Sequence, residues 1–193
     1  MLTPASTIAI IGFGNTGSRI TAQLAPRGCA LRCYDRLLDA EATRALFHER
    51  IEAAGADPMY TLADALRGAR LVIAAVGAPG SVDLMYAVTP LLSAGQTLLD
   101  LSAAAAAVRS ARAALVARHR AQYVAGQPGE PMLLAGSKAS ELAAALDALG
   151  CTAIAISALP QAPFPEYPPA RDELPRLHGD AQSRTPWPRG ELP

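Results

Sequence analysis

Short aliphatic runs alternate with longer segments in which apolar residues recur every three or four positions, and this rhythm persists through the first 156 residues. The runs Thr7–Ile11, Ala30–Tyr34, Leu71–Val76 and Thr97–Leu101 are nearly unbroken, which predicts strands buried on both faces of a sheet. Pro58–Tyr60, Gln122–Val124, Met132–Ala135 and Thr152–Ile156 predict shorter strands. Helical spacing predicts a helix over Ser18–Ala25, with Ile20 and Leu24 on one face and with Pro26 and Gly28 as its stop. A second is expected over Leu38–Gly55, with Leu46 and Ile51 packing inward. Thr61 reads as the N-cap of a short helix with Asp64 at its third position, ending at Gly68; Ser81 reads as the cap of a helix to about Leu92. Ala103–Arg120 and Ala139–Leu149 complete the set. Strands alternating with helices imply an α/β fold with a doubly wound, mostly parallel sheet.

In such a fold ligands lie outside the carboxyl ends of the strands. The first of those ends carries Gly12-Phe13-Gly14-Asn15-Thr16-Gly17. Glycines at this spacing, directly after a strand and opening a helix, suit a tight turn, a close pyrophosphate approach and close helix packing, with the phosphates on the helix N-terminus. Asp35 closes the next strand eighteen residues past Gly17, about where a carboxylate binds the adenosine ribose hydroxyls. The unit therefore reads as a Rossmann-type dinucleotide site. NAD is the expected cofactor and NADP the less favoured one, since Asp35 repels a 2′-phosphate, with Arg36 beside it acting in the opposite sense. The same edge rule gathers Val76-Gly77-Ala78-Pro79 and Ser102 with the glycine loop. Ser102 also reads as the N-cap of the helix that begins at Ala103. A glycine-rich methyltransferase could likewise use an acidic residue for ribose, but would normally lack the third glycine at this spacing.

The bulk properties narrow the partners. Apolar residues make up 51% of the 193, enough for a full core, and the formal charge is zero. With no basic block or aromatic-interleaved patch, nucleic acid is not an expected partner. No run approaches the roughly 18 to 20 apolar residues that span a bilayer, and the first residues lack the order of a signal peptide, so a soluble, cytoplasmic chain is expected. Cys29, Cys33 and Cys151 fall in or beside apolar runs without metal-ligand spacing and read as buried, reduced thiols. His48, His119 and His178 are scattered and read as surface or helix-end residues; no metal site is expected. Composition changes at Ser157: the segment 158–193 is rich in proline and arginine with almost no apolar period, which predicts disorder. Two units follow, a dinucleotide-binding domain at 1–157 and a tail at 158–193.

With these residues in place, the first 156 positions resemble the N-terminal domain of the beta-hydroxyacid dehydrogenases, the superfamily of 3-hydroxyisobutyrate and 6-phosphogluconate dehydrogenases. The resemblance rests on Ile8–Gly17, on Tyr34-Asp35-Arg36, on Gly68-Ala69-Arg70-Leu71-Val72-Ile73 and on Gly95-Gln96-Thr97-Leu98-Leu99-Asp100-Leu101-Ser102. It implies that Phe13, Asn15 and Thr16 cover the pyrophosphate, that Asp35 binds the adenosine ribose, that Val76, Gly77 and Ala78 run beside the cofactor, and that Ser102 lies near the nicotinamide and substrate; Asp100 reads as structural.

Two departures bear on activity. Where the family has an acidic residue and a substrate-gripping loop, this chain has Tyr123-Val124-Ala125-Gly126-Gln127-Pro128-Gly129. Where the family's second, all-helical domain supplies a lysine as general acid/base, this chain has the proline- and arginine-rich tail. Lys138 is its only lysine and precedes the last predicted helix, and arginine is too basic to exchange protons near neutral pH. The resemblance thus implies an NAD(P)-binding domain of a dehydrogenase-like oxidoreductase with no catalytic residue of its own, unable to complete hydride transfer of a hydroxy-acid substrate alone and prone to self-association through the face a second domain would cover. A partner chain that completes the enzyme, or an NAD-responsive binding protein, are the alternatives. Truncation or a frameshift in a GC-rich gene would account for the tail.

Overall fold

The computed structural model describes residues 2–159. The expected disordered tail lies outside the described residues beyond position 159. Among the described residues eight strands are present: β1 (Thr7–Ile11), β2 (Ala30–Tyr34), β3 (Asp57–Pro58), β4 (Leu71–Ala74), β5 (Thr97–Asp100), β6 (Gln122–Gln127), β7 (Met132–Ala135) and β8 (Ala153–Ala155). The α-helices are α1 (Asn15–Leu24), α2 (Glu41–Ala53), α3 (Leu62–Leu66), α4 (Ala78–Val88), α5 (Ala106–Ala117) and α6 (Ala139–Ala148). The strands form one sheet in the order β3-β2-β1-β4-β5-β6-β7-β8. Every pairing is parallel except that of β6 with β7. The α/β, mostly parallel sheet expected from the sequence is the one observed.

The period-two alternation of strand side chains divides the core into two layers. Ile8 and Ile10 face α1, α2 and α6, where Ile20, Leu24, Phe47, Ile51, Leu142 and Leu146 cover them. Ala9 and Ile11 face α3, α4 and α5, under Leu62, Leu66, Leu84, Val88 and Val116. β1 sits between β2 and β4, with Ile10 opposite both Cys33 and Ile73. Full burial of each such Ile or Leu stabilises the fold by about 1.5–3 kcal/mol. The chain winds outward from β1 to β3, then returns to β4 on the other side, so the carboxyl ends of β1 and β4 diverge into a crevice.

Several boundaries differ from the sequence reading. Asp35 caps a 3-10 turn over Arg36–Leu38, and α2 begins only at Glu41. Leu38 is thereby buried in the turn, while Leu46 is 40% exposed and Phe47 takes the inward place; one residue is about 100° of helix. α4 starts at Ala78 with Gly77 as its N-cap, so Ser81 lies inside the helix instead of capping it. Pro79 in the first turn explains the early start, because its missing N–H is no loss there. α5 starts at Ala106 without a side-chain cap, so Ser102 does not cap it. Thr61 does cap α3, accepting the Asp64 N–H at 3.1 Å. β6 runs on through Gly126 and Gln127 and turns back into β7. The three cysteines are free and buried, with their thiols pushed up by burial, Cys151 to about 11.

Candidate functional site

The glycine loop joins β1 to α1 at the crevice. Gly12 has φ +96, and a Cβ there would stand 2.8 Å from the Ala75 carbonyl oxygen of the neighbouring loop. A Cβ on Gly17 would collide with the Gly12 carbonyl. The fold itself thus demands both residues. Gly14 is different: its φ is −82, open to any residue, and a Cβ on it would meet nothing within 4 Å. Among the described residues nothing packs against this exposed point, so beyond the helix cap, which glycine also suits, its bare backbone leaves room for a ligand to approach.

Gly14 is also the N-cap of α1, whose first turn has no side-chain cap and no acidic residue. Its N–H groups and dipole therefore favour an anion placed before the helix. Asn15 is exposed and Thr16 half-buried in that turn. Phe13 points the other way, its side chain 2% exposed in the core, and contributes its backbone to the loop.

Asp35 lies across the crevice at the end of β2. Its Oδ2 accepts the Phe13 N–H at 2.7 Å, and its Oδ1 accepts the Leu37 N–H at 2.9 Å. A carboxylate offers about four acceptor sites, so each oxygen can still receive a hydroxyl. Gly12, Gly14, Asp35, Arg36, Leu37, Ala75, Val76, Gly77 and Gly80 border one cleft of about 330 Å³. Six of the twelve residues expected at the site, Gly12, Gly14, Asp35, Arg36, Val76 and Gly77, thus border this cleft. Ala78 opens α4 directly after Gly77.

Ser102 sits further along the same edge, just beyond β5, and is buried. Its Oγ donates to Asp100 Oδ1 at 2.6 Å, and its N–H reaches the same oxygen at 3.0 Å. Arg112 of α5 donates through Nη1 to Asp100 Oδ2 and to Ser102 Oγ, both at 2.7 Å, and through Nη2 to Ser81 Oγ at 2.9 Å. Tyr123 of β6 donates its hydroxyl to Asp100 Oδ2 at 2.9 Å. Burial, with the Asp100 charge beside it, raises the Tyr123 phenol above its ordinary value. Arg112, Ser81 and Tyr123 were not legible as site residues. Arg112 lies among the alanines of α5 with one other arginine, Arg109, and only the helix's placement on the sheet sets it apart.

Lys138 is remote from this edge. It pairs with Glu141 at 2.7 Å and borders a separate cavity of about 270 Å³ with Arg70, Thr97 and Gln122, at the amino ends of β4, β5 and β6. His48 is on the surface, hydrogen-bonded to the Tyr60 hydroxyl at 2.7 Å. Gln127, within the Tyr123–Gly129 stretch that lacks the family's acidic residue, has its Oε1 buried without a hydrogen-bond partner among the described residues, at the end of β6. Among the described residues no group of three or more His, Cys, Asp or Glu could hold a metal ion, and no helix is long and apolar enough to cross a membrane.

Residues 7–128 match the family model of the NAD binding domain of 6-phosphogluconate dehydrogenase. Comparison with curated proteins gives no match. Among solved structures, a conserved hypothetical protein from Sinorhizobium meliloti 1021 is similar at 26% identity and a TM-score of 0.73, over 81% of this chain and 55% of that one. An imine reductase from Myxococcus stipitatus in complex with NADP+ is 20% identical, with a TM-score of 0.64 over 79% of this chain and 55% of that one. A 3-hydroxyisobutyrate dehydrogenase from Mycobacterium tuberculosis with L-serine is 18% identical, with a TM-score of 0.65 over 80% and 55%. The last two likenesses carry the fold alone. The chain spans 55% of the length of each of these structures.

Proposed function

Because the chain belongs to the family of the NAD binding domain of 6-phosphogluconate dehydrogenase, we propose that Gly12 to Gly17, Asp35, Arg36, Val76, Gly77, Ala78 and Ser102 hold a nicotinamide dinucleotide along the carboxyl edge of the sheet. Gly14 carries this reading: the one glycine of the three whose place would admit a side chain stands exposed at the cleft. The pyrophosphate rests against Gly14 and the first turn of α1, with Asn15 and Thr16 beside it. The adenosine ribose lies over β2, its hydroxyls donating to Asp35. Val76, Gly77 and the start of α4 guide the remaining half toward the end of β5. There Ser102 supports the floor, its hydroxyl donating its hydrogen bond to Asp100. When bound, the nicotinamide supplies hydride transfer; the chain's residues supply binding and orientation.

NAD is the preferred cofactor in this reading. Asp35 is an acceptor only and repels a 2′-phosphate, while exposed Arg36 is the one cation among the described residues that borders the cleft and could receive it. Residues 1–193 do not complete hydride transfer of a hydroxy acid alone. Their one lysine stands at the opposite edge of the sheet, and general acid/base assistance supplies about 10²- to 10⁴-fold of rate. Val82 and Tyr86, one turn apart on α4 and 52% and 70% exposed, are the apolar surface through which copies would associate.

Calorimetric titration with NAD, NADP and S-adenosylmethionine tests the binding claim. NAD should bind tightest and S-adenosylmethionine not at all; tighter NADP overturns the Asp35 argument. Steady NADH production from 3-hydroxy acids by the pure chain would overturn the claim of incompleteness.

A further inference from the structure

The ion pair of Arg112 with Asp100 is almost wholly enclosed, with side chains 7% and 2% exposed. Enclosing two charges is costly, and an apolar pair of similar volume often stabilises a fold as well or better. Stability alone is therefore a poor reason for it. Its connections supply another.

Arg112 hydrogen-bonds both to the start of α4 beside the cleft and to the end of β5. Through Nη2 it holds Ser81, the residue directly after Gly80, which borders the cleft. Through Nη1 it holds Asp100 and Ser102 at the end of β5. The planar guanidinium fixes the angle between these bonds, which a flexible ammonium would not. Asp35 and the glycine loop, which serve the adenosine and pyrophosphate side, are tied instead by the Phe13 and Leu37 N–H groups. The two halves of the cleft thus rest on separate supports.

Resting on the dinucleotide reading above, we infer that Arg112 is a positioning residue for the nicotinamide half of the site, locking the first turn of α4 to the β5 end so that this half is formed before the cofactor arrives. Preorganisation of this kind raises affinity by removing the ordering cost from binding. Only ligands that extend past the pyrophosphate would feel it.

The test compares NAD with ADP, which spans the adenosine and phosphate side alone, on the full chain and on its Arg112→Met, Arg112→Lys and Ser81→Ala variants. Arg112→Met should weaken NAD tenfold or more while leaving ADP within about twofold, and Arg112→Lys should recover only part of the loss, since it cannot make three fixed bonds. Ser81→Ala removes one hydroxyl and should weaken NAD several-fold with ADP unchanged; it decides the matter if Arg112→Met does not fold. Parallel loss of NAD and ADP, or no loss of NAD in folded variants, overturns the inference. A wild-type chain that binds neither ligand overturns the dinucleotide reading itself, a result separate from the other two.

Discussion

Replacing Gly14 with valine separates a ligand's requirement from the fold's. In the protein the new Cβ meets nothing within 4 Å, and φ of −82 is accessible to valine. The stability cost comes from the helix cap, where valine is worse than glycine by about 1 kcal/mol. The loss of unfolded-state freedom offsets about 0.4–1 kcal/mol of that. The net change is at most about 1 kcal/mol, or roughly 2–4 °C in Tm for a chain of this size. Binding should respond far more strongly. The branched side chain fills the space in which the pyrophosphate approaches the backbone, and a hundredfold loss, equivalent to about 2.7 kcal/mol, is the expected minimum. Gly17→Ala is the contrasting variant: its Cβ strikes the Gly12 carbonyl, so it should destabilise the fold by about 1–3 kcal/mol or more. Thermal melting of both variants, with calorimetric titration of NAD and NADP into Gly14→Val, checks the pair. A folded Gly14→Val protein with affinity within threefold of the parent would show that the glycine loop is only a turn. A Tm loss in Gly14→Val as large as that in Gly17→Ala would show that the fold needs all three glycines.

Asp35→Ala should act on both stability and binding, because it removes the acceptor for the Phe13 and Leu37 N–H groups. Chemical denaturation should show a loss of about 1–3 kcal/mol, and the NAD preference over NADP should vanish; undiminished preference would refute the role given to the carboxylate. Gly126→Ala should cost about 1–3 kcal/mol by overpacking, since its Cβ would stand 2.5 Å from Leu101 Cδ2, 2.9 Å from Leu99 Cδ1 and 3.2 Å from Leu134 Cδ2. Equal stability by urea titration would mean that those leucines move aside freely. Alkaline pH should destabilise the chain. Cys33, Cys151, Tyr34 and Tyr123 all have folded-state values raised, chiefly by burial, above ordinary values of 9 for the thiols and 10 for the phenols. Their contribution is full below those ordinary values and is lost as pH rises above them, because the unfolded chain ionises first. A Tm that stays level from pH 8 to roughly pH 11 would contradict this.

Local signals determined a large part of this protein. Burial on both faces makes an inner parallel strand uniformly aliphatic, so β1, β2, β4 and β5 could be placed from their runs, β2 at both ends. The glycine spacing and Asp35 are likewise short-range patterns, since a turn, a helix start and the next strand end lie within thirty residues of each other. What the sequence alone did not determine depends on contacts between distant segments. Helix phase is one case: a capped turn at Arg36–Leu38 delayed α2 and exchanged Leu46 for Phe47 as the inward residue. The roles of Ser81 and Ser102 are another. Both are good helix-capping residues by type, yet Pro79 opens α4 early and Asp100 claims the Ser102 hydroxyl. The middle glycine gained its meaning only in three dimensions, because a pattern cannot tell which glycine has no neighbour. Arg112 shows the limit most clearly. Its partners lie 10, 12 and 31 residues away, and only the packing of α5 beside β6 brings it to the end of β5 and to α4, so tertiary packing and no local pattern decides which arginine of the helix is enclosed.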